Sequence, residues 1–116
     1  MEKIKTIELV GSQLNAAVAK ALGLEYKVYF DGSVNVFNGE DFREFNPATN
    51  SKHCFKLIKQ FRVNLCSRTI PRIKDWQCDI SGQYMASDVD PLVAVCRCVV
   101  LSILGDEYDS RIYECK

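Results

Sequence analysis

The stretch DPLVAVCRCVVLSILGDE, residues 90–107, decides how the rest of the 116-residue chain must pack. Asp88 or Asp90 can cap a helix that starts at Pro91, and the single glycine near the end of the stretch is typical of a helix end. A helix with so many apolar side chains belongs in the core of a small domain. Arg97 lies in its middle, and because an arginine keeps its charge in a protein, that charge needs an anionic partner.

The partner of Arg97 lies either within the chain or in something that the protein binds. The candidate carboxylates within the chain are Glu44, Asp79 and Asp88. An internal ion pair, or an arginine that reaches the surface along its aliphatic stem, makes Arg97 a structural residue. Contact with a ligand or a partner protein makes it a binding residue. Both interpretations are compatible with the sequence.

Two amphipathic helices are expected before the last one. In the first, apolar residues repeat at helical spacing between Ser12, the expected N-cap, and Gly23, which follows the C-cap. The second covers KHCFKLIKQF, residues 52–61, and begins after a cap at Asn50 or Ser51. Between them these helices offer two further apolar faces to the core.

A β-hairpin is expected between the two helices. The sequence YKVYFDGSVNVF alternates apolar and polar residues on both sides of Asp31–Gly32, so it predicts a hairpin over residues 25–37 with a type I′ turn. The same alternation places Tyr26, Val28 and Phe30 on one face of the first strand.

The rest of the chain completes an α+β pattern. Two short strands are expected on either side of Pro71, and the order of elements becomes (β)αββαββα. This order predicts a single domain over residues 1–116, with a small, mainly antiparallel sheet packed by helices. The expected additional strands cover residues 3–10, 63–67 and 76–81, and the expected loops cover residues 38–50 and 82–90.

Composition argues against several classes of protein. The chain has 15 Lys and Arg residues against 15 Asp and Glu residues, whereas a dedicated nucleic-acid binder usually carries a basic excess. No apolar stretch reaches the roughly 18–20 residues that span a bilayer, and the charged N-terminus does not resemble a signal peptide, so we expect a cytoplasmic protein. The six cysteines include no CxxC pair, and Cys96 and Cys98 point to different faces of their helix. We therefore expect reduced, buried thiols and no metal site.

Nothing in the sequence indicates catalysis. The single histidine, His53, lies on a lysine-rich helix without a carboxylate at helical spacing, and GxSxG, HExxH, Walker-type and GxGxxG motifs are missing from the sequence. The row Lys52, Lys56 and Lys59 is typical of a solvated helix face. We expect no catalytic residue, no enzymatic activity and no cofactor.

The stretch FNPATN, residues 45–50, is the best candidate for a binding loop. Its amide and hydroxyl side chains, with the free N–H groups of a helix start, can hold an anion or polar ligand, or can simply cap the helix and satisfy the turn. Two aromatic side chains from later segments can stack on a planar ligand or pack in the core. The predicted ligand-binding residues are Asn46, Thr49, Asn50, Trp76, Tyr84 and Arg97.

Three segments, in this order and spacing, resemble the phage NinX-like family. They are KTIELVGSQLNAAVAKALG, FNPATN and DPLVAVCRCVVLSILGDE. Arg97 matches the arginine of the closing motif, and Pro47 with Thr49 matches the central loop. The resemblance implies a small accessory protein of a phage or prophage that acts in the host cytoplasm, and it brings no activity with it.

The expected function is therefore that of a non-enzymatic binding protein. It sequesters a small anionic, nucleotide-like ligand between the FNPATN loop and Arg97, and so counters host defence signalling. The alternative is a protein–protein adaptor or inhibitor of a host factor that uses the hairpin or the aromatic loops. A nucleic-acid-processing accessory has the least support. The apolar last helix also predicts a homo-oligomer, because such a surface must be covered.

Overall fold

A computed structural model of the chain describes residues 3–109, and it confirms the α+β class. Within these residues there are three α-helices: α1 (Gly11–Ala21), α2 (Ser51–Phe61) and α3 (Pro91–Leu104). There are also eight strands: β1 (Lys3–Lys5), β2 (Tyr26–Val28), β3 (Val34–Phe37), β4 (Phe42–Glu44), β5 (Asn64–Ile70), β6 (Ile73–Ile80), β7 (Tyr84–Asp88) and β8 (Glu107–Asp109). One 3-10 turn, Thr6–Glu8, follows β1.

All the strand pairs among the described residues are antiparallel. β2, β3 and β4 form one three-stranded sheet, and β5, β6 and β7 form another. β1 pairs with β8, with Lys5 opposite Glu107, so the two ends of the described chain meet. The short turns between consecutive strands fix this antiparallel order.

Helix α3 is the centre of the core. Residues 94–100 are all buried, and the helix packs against α1, α2, β6 and β7. The strands show the alternation that packing on one face requires: in β7, Ala86 is buried between exposed Met85 and Ser87. The middle of α3 is therefore covered within the chain itself, whereas Ile103 near its end is 45% exposed.

The predicted hairpin is confirmed, but its turn is not of type I′. That turn needs positive φ at both central residues, and of Asp31 and Gly32 only Gly32 has it (φ +87). Instead the N–H of Tyr29 donates to the carbonyl of Ser33 at 2.9 Å and closes a wider loop. The prediction that Phe30 continues the face of Tyr26 and Val28 is wrong, because β2 ends at Val28 and the loop leaves the side chain of Phe30 93% exposed.

Three strands lie where the sequence predicted loops or a tail. β4 falls within residues 38–50, β7 within residues 82–90, and β8 follows the last helix. Two of them have only three residues, and β7 reads Tyr-Met-Ala-Ser-Asp, without a β-branched residue. Local sequence could not predict them because their partners, β3, β6 and β1, supply the hydrogen bonds that define them.

The helix ends follow the sequence in most respects. Asn50 caps α2, and Asp90 caps α3 with Pro91 in the first turn. The prediction for α1 is wrong at its start, since the helix begins at Gly11 and its N-cap, Val10, has no capping side chain. Among residues 3–109, no helix has the length and apolar character to cross a membrane.

Candidate functional site

Arg97, the residue on which the predicted site centred, is bound within the chain. It is 8% exposed, and its Nε donates to the carbonyl of Leu9 at 2.9 Å. Its Nη1 donates to the carbonyl of Ser87 at 3.2 Å and to Oδ1 of Asp88 at 3.1 Å. Asp88, one of the three candidate carboxylates, is thus the counter-ion. The buried charge joins α3 to the end of β7 and to the segment before α1.

The polar residues of the FNPATN loop mainly hold the start of α2. Oδ1 of Asn50 accepts the N–H groups of Lys52 and His53, at 2.9 and 3.2 Å. The exposed Thr49 hydroxyl lies 3.4 Å from the carbonyl of Asn46, which is long for a hydrogen bond. Oδ1 of Asn46 is buried without a hydrogen-bond partner among the described residues. The loop is therefore largely committed to its own backbone.

A buried asparagine that the sequence analysis missed fastens this loop to α1. Asn15 is 8% exposed, and its Oδ1 accepts the N–H of Ala48 at 3.0 Å. It lies among the apolar residues of α1, where its neighbours Leu14 and Ala16 are fully buried. A polar residue inside an apolar helical stripe was the available signal, since such a residue needs a hydrogen-bond partner once buried.

The two aromatic residues of the predicted site lie in the second three-stranded sheet. Trp76 of β6 is opposite Asp88 of β7, so it belongs to the same end of the sheet as Arg97. Tyr84 packs against the core, and its carbonyl accepts the thiol of Cys98 at 2.8 Å. No hydrogen bond or ion pair within residues 3–109 joins Arg97 to residues 46–50. Ligand binding by the six predicted residues stays a prediction.

A cleft of about 470 Å³ lies on another side of the loop, between α2, the end of α1 and the sheet that contains β3 and β4. The lining combines apolar side chains with polar and charged ones. The apolar lining residues are Leu22, Leu24, Val36, Phe45 and Leu57, and the polar ones are Asn38, Arg43, Glu44, His53, Lys56 and Gln60.

Phe45 and His53 form a stacked pair in this cleft. Their ring centroids are 5.6 Å apart, with 24° between the ring planes. Nδ1 of His53 accepts the N–H of Asn46 at 3.2 Å, so the neutral ring carries its hydrogen on Nε2. Burial, with a smaller contribution from Lys56, lowers the pKa of His53, and Glu44 opposes this shift. His53 is therefore a neutral ring held in one orientation by the loop.

Two cationic side chains stand at the cleft. Arg43 is exposed and pairs through Nε with the exposed Asp41 at 3.0 Å, an arrangement that contributes little to stability. Lys56 is exposed and forms no ion pair among the described residues. Glu44 adds one acidic group. The cleft thus combines apolar side chains, a ring stack, accessible cations and two amide side chains.

The comparison with known families identifies the class of protein. The family model described as Bacteriophage P22, NinX matches residues 5–103, which include both the cleft and the Arg97 ion pair. The match defines a phage accessory protein. The chain belongs to the NinX family, as its three sequence segments indicated. No curated protein matches the chain.

Several residues of the cleft stand out in the sequence, but their pattern there indicates other roles. The sequence indicates a solvated helix face for His53 and Lys56, and Phe45 is only the first residue of the FNPATN loop. The cleft depends on four chain segments, and β4, which carries Arg43, was not predicted. The available signal was an aromatic residue beside a helix that presents both a histidine and a lysine one turn apart.

Proposed function

We propose that this phage accessory protein binds and sequesters a small anionic, nucleotide-like ligand in the cleft beside Phe45 and His53, without turning it over. The observation that carries the proposal is the Phe45–His53 ring stack in a cleft whose lining includes apolar side chains, Arg43 and Lys56. The volume of about 470 Å³ lies within the range of about 300–1,000 Å³ that is usual for small-molecule sites.

The chemistry of the lining matches a nucleotide better than a simple anion. A planar base packs favourably against aromatic and apolar side chains such as Phe45 and Leu57, while phosphate oxygens pair with Arg43 and Lys56. The carboxylate of Glu44 repels a bare phosphate, but it accepts hydrogen bonds from an exocyclic amine. A ligand with a base at one end and a phosphate at the other satisfies both requirements.

The FNPATN loop helps to position two side chains of this site. The N–H of Asn46 orients His53, and Asn50 caps the helix that carries both His53 and Lys56. Direct contact of the ligand with Arg97, Trp76 or Tyr84 is the competing arrangement. Sequestration of a nucleotide signal in the host cytoplasm would lower its free concentration and so weaken a defence that depends on it.

Isothermal titration with nucleoside mono- and triphosphates and cyclic nucleotides tests the proposal. Lys56→Gln is expected to weaken binding about tenfold or more, because a hydrogen bond to a charged group contributes about 1.5–3 kcal/mol. Lys52→Gln is the matched control, since Lys52 is exposed on the same helix but does not line the cleft. Heat from no nucleotide, or equal affinities in the two variants, would contradict the proposal. Unchanged nucleotides after incubation would support binding without turnover.

A second candidate function, an adaptor or inhibitor of a host protein, is favoured by one observation. Phe30 is 93% exposed at the hairpin tip, and the tip is held against α1, where Ser12 Oγ lies 2.9 Å from the place that a Cβ on Gly32 would occupy. An exposed aromatic side chain can anchor a protein–protein contact, because aromatic residues are enriched in the cores of such interfaces. Because the chain covers the middle of α3 itself, this surface is also the better candidate for the predicted homo-oligomer.

Affinity capture from a host lysate, followed by native mass spectrometry, tests the second candidate. Phe30→Ser is expected to abolish a specific complex or a homo-oligomer, whereas Met85→Ser, at an exposed residue of β7, is expected to preserve it. A complex that survives Phe30→Ser would contradict the role of the hairpin tip.

A further inference from the structure

Four cysteines lie in two facing pairs on either side of α3. Cys96 interacts with Cys54 of α2, and Cys98 interacts with Cys78 of β6. All four side chains are buried, with at most 2% of their surface exposed. Each pair therefore joins α3 to a different neighbouring element.

Backbone contacts place the same pairs independently. Sγ of Cys54 lies 3.9 Å from the carbonyl of Leu92, one helical turn before Cys96. Sγ of Cys78 lies 3.0 Å from the carbonyl of Ala94, one turn before Cys98. Residues four apart on a helix share a face, so each α3 cysteine faces the partner that contacts the turn below it. Because Cys96 and Cys98 are two residues apart on α3, their side chains lie on different faces of the helix.

The two thiols of each pair differ in how readily they ionise. Interaction with the neighbouring cysteine, together with burial, raises the pKa of Cys96 and of Cys78, so these two are thiols at neutral pH. The same interaction within each pair lowers the pKa of Cys54 and of Cys98. Each pair therefore contains one sulfur that ionises more readily and one that holds its proton, which is a usable arrangement for oxidation of the pair.

We propose that the two pairs are oxidation sites, at which a peroxide converts Cys54 with Cys96, and Cys78 with Cys98, into intramolecular disulfides. With hydrogen peroxide, one thiol of a pair becomes a sulfenic acid and releases one water. The facing thiol then attacks that sulfur, the S–S bond forms, and a second water leaves. Two thiols and one peroxide thus yield one disulfide and two waters, and the two electrons pass to the peroxide.

We expect oxidation to link α3 covalently to two of its neighbouring elements. One disulfide ties α3 to α2, and the other ties it to β6. Cross-links between elements distant in sequence constrain the unfolded chain and raise the unfolding temperature. Because α2 carries His53 and Lys56, an effect of oxidation on ligand affinity rests on the proposed function, whereas disulfide formation itself does not.

Burial determines the order of reaction. The oxidant reaches the paired thiols only through local opening of the core, whereas Cys66 is exposed and reacts first. Cys115 lies outside the described residues. A Cys66→Ser/Cys115→Ser variant therefore leaves only the four paired thiols, and it is the protein to use.

Peptide mass mapping of this full-length variant tests the proposal. The folded, reduced protein is treated with hydrogen peroxide, its remaining thiols are blocked with N-ethylmaleimide, and it is digested without reductant. We expect peptides linked 54–96 and 78–98, together with a higher unfolding temperature that reductant reverses. Links between the pairs, oxidation to sulfinic acid without a link, or four blocked thiols after prolonged treatment would each overturn the proposal.

Single variants separate the two sites. In the same background, Cys96→Ala is expected to lose the 54–96 link and keep the 78–98 link, and Cys98→Ala to do the reverse. Loss of both links from a folded single variant would contradict independent pairs. If a variant does not fold, the map of the parent variant still decides whether the two links form.

Discussion

Arg97 and Lys56 carry the same charge on adjacent helices, but they differ in exposure to solvent and in the partners that the chain gives them. Arg97 is buried, and the chain provides it with Asp88 and two backbone carbonyls. Lys56 is exposed beside a cleft and has no ion pair among the described residues. The difference indicates where each charge acts: Arg97 contributes to folding, whereas Lys56 is available to a ligand. The predictions that follow test this division, from the largest expected effect to the smallest.

Arg97→Ala is expected to produce the largest loss of stability. It leaves the partly buried Asp88 and the carbonyls of Leu9 and Ser87 without their donor, and breaking a buried pair costs about 3–5 kcal/mol. Urea unfolding measures the loss. Arg68→Ala is the matched control, because Arg68 and Asp75 form a bidentate pair at 2.6–2.7 Å in which the arginine side chain is 34% exposed, against 9% for Arg97. Equal losses in the two variants would contradict a special role for the buried charge.

Asn15→Ala tests the link between α1 and the FNPATN loop. Its removal leaves the buried N–H of Ala48 without an acceptor, and this costs about 1–3 kcal/mol of the free energy of unfolding. Gln13→Ala, at a half-buried position on the same helix, is expected to change that free energy by less than about 0.5 kcal/mol. A similar cost at Gln13 would show that α1 is sensitive to any polar truncation.

Features with a local cause were predictable from the sequence. Asn50, Asp90 and Pro91 act within one helical turn, so the boundaries of α2 and α3 follow from the residues there. The charge of Arg97 required a partner, and Asp88 was among the three candidates. Features that depend on pairing over long distances were not predictable: β8 exists because β1 lies beside it.

The candidate site shows the same limit. The FNPATN loop could be located from its sequence, but the choice between binding a ligand and capping a helix depends on what lies around it. The cleft requires β4 to pair with β3 and α2 to lie across from them, and β4 has only three residues. Nothing in three residues that read Phe-Arg-Glu predicts that Arg43 and Lys56 share a cavity.

Asn50→Ala is expected to cost about 1 kcal/mol of stability, the usual effect of removing an N-cap. The side chain accepts two backbone N–H groups at the start of α2, which Ala cannot replace. Ser51→Ala removes the other residue that the sequence allowed as a cap and is expected to have little effect. A larger loss from Ser51→Ala in chemical unfolding would contradict the observed capping.

The smallest expected effect is the pH dependence that His53 contributes. Its pKa in the folded chain is lower than the ordinary 6.5, so the unfolded chain takes up the proton first as the pH falls. The stability contributed by the neutral ring, which accepts the N–H of Asn46, is therefore present above about pH 6.5 and is lost below it. Wild type is expected to lose more stability than His53→Gln between about pH 7.5 and about pH 5.5. Parallel pH profiles for the two proteins would contradict the assignment.

The measurement that tests the central claim most directly is an amide chemical-shift titration of the ¹⁵N-labelled protein with nucleoside 5′-monophosphates. If the cleft is the binding site, the largest shifts occur at Leu24, Phe45, His53 and Lys56, and Lys56→Gln removes them at the same ligand concentration. The amide chemical shifts of Asp88, Arg97 and their neighbours are expected not to change. Shifts concentrated at residues 87–97, with the cleft unaffected, would contradict the account.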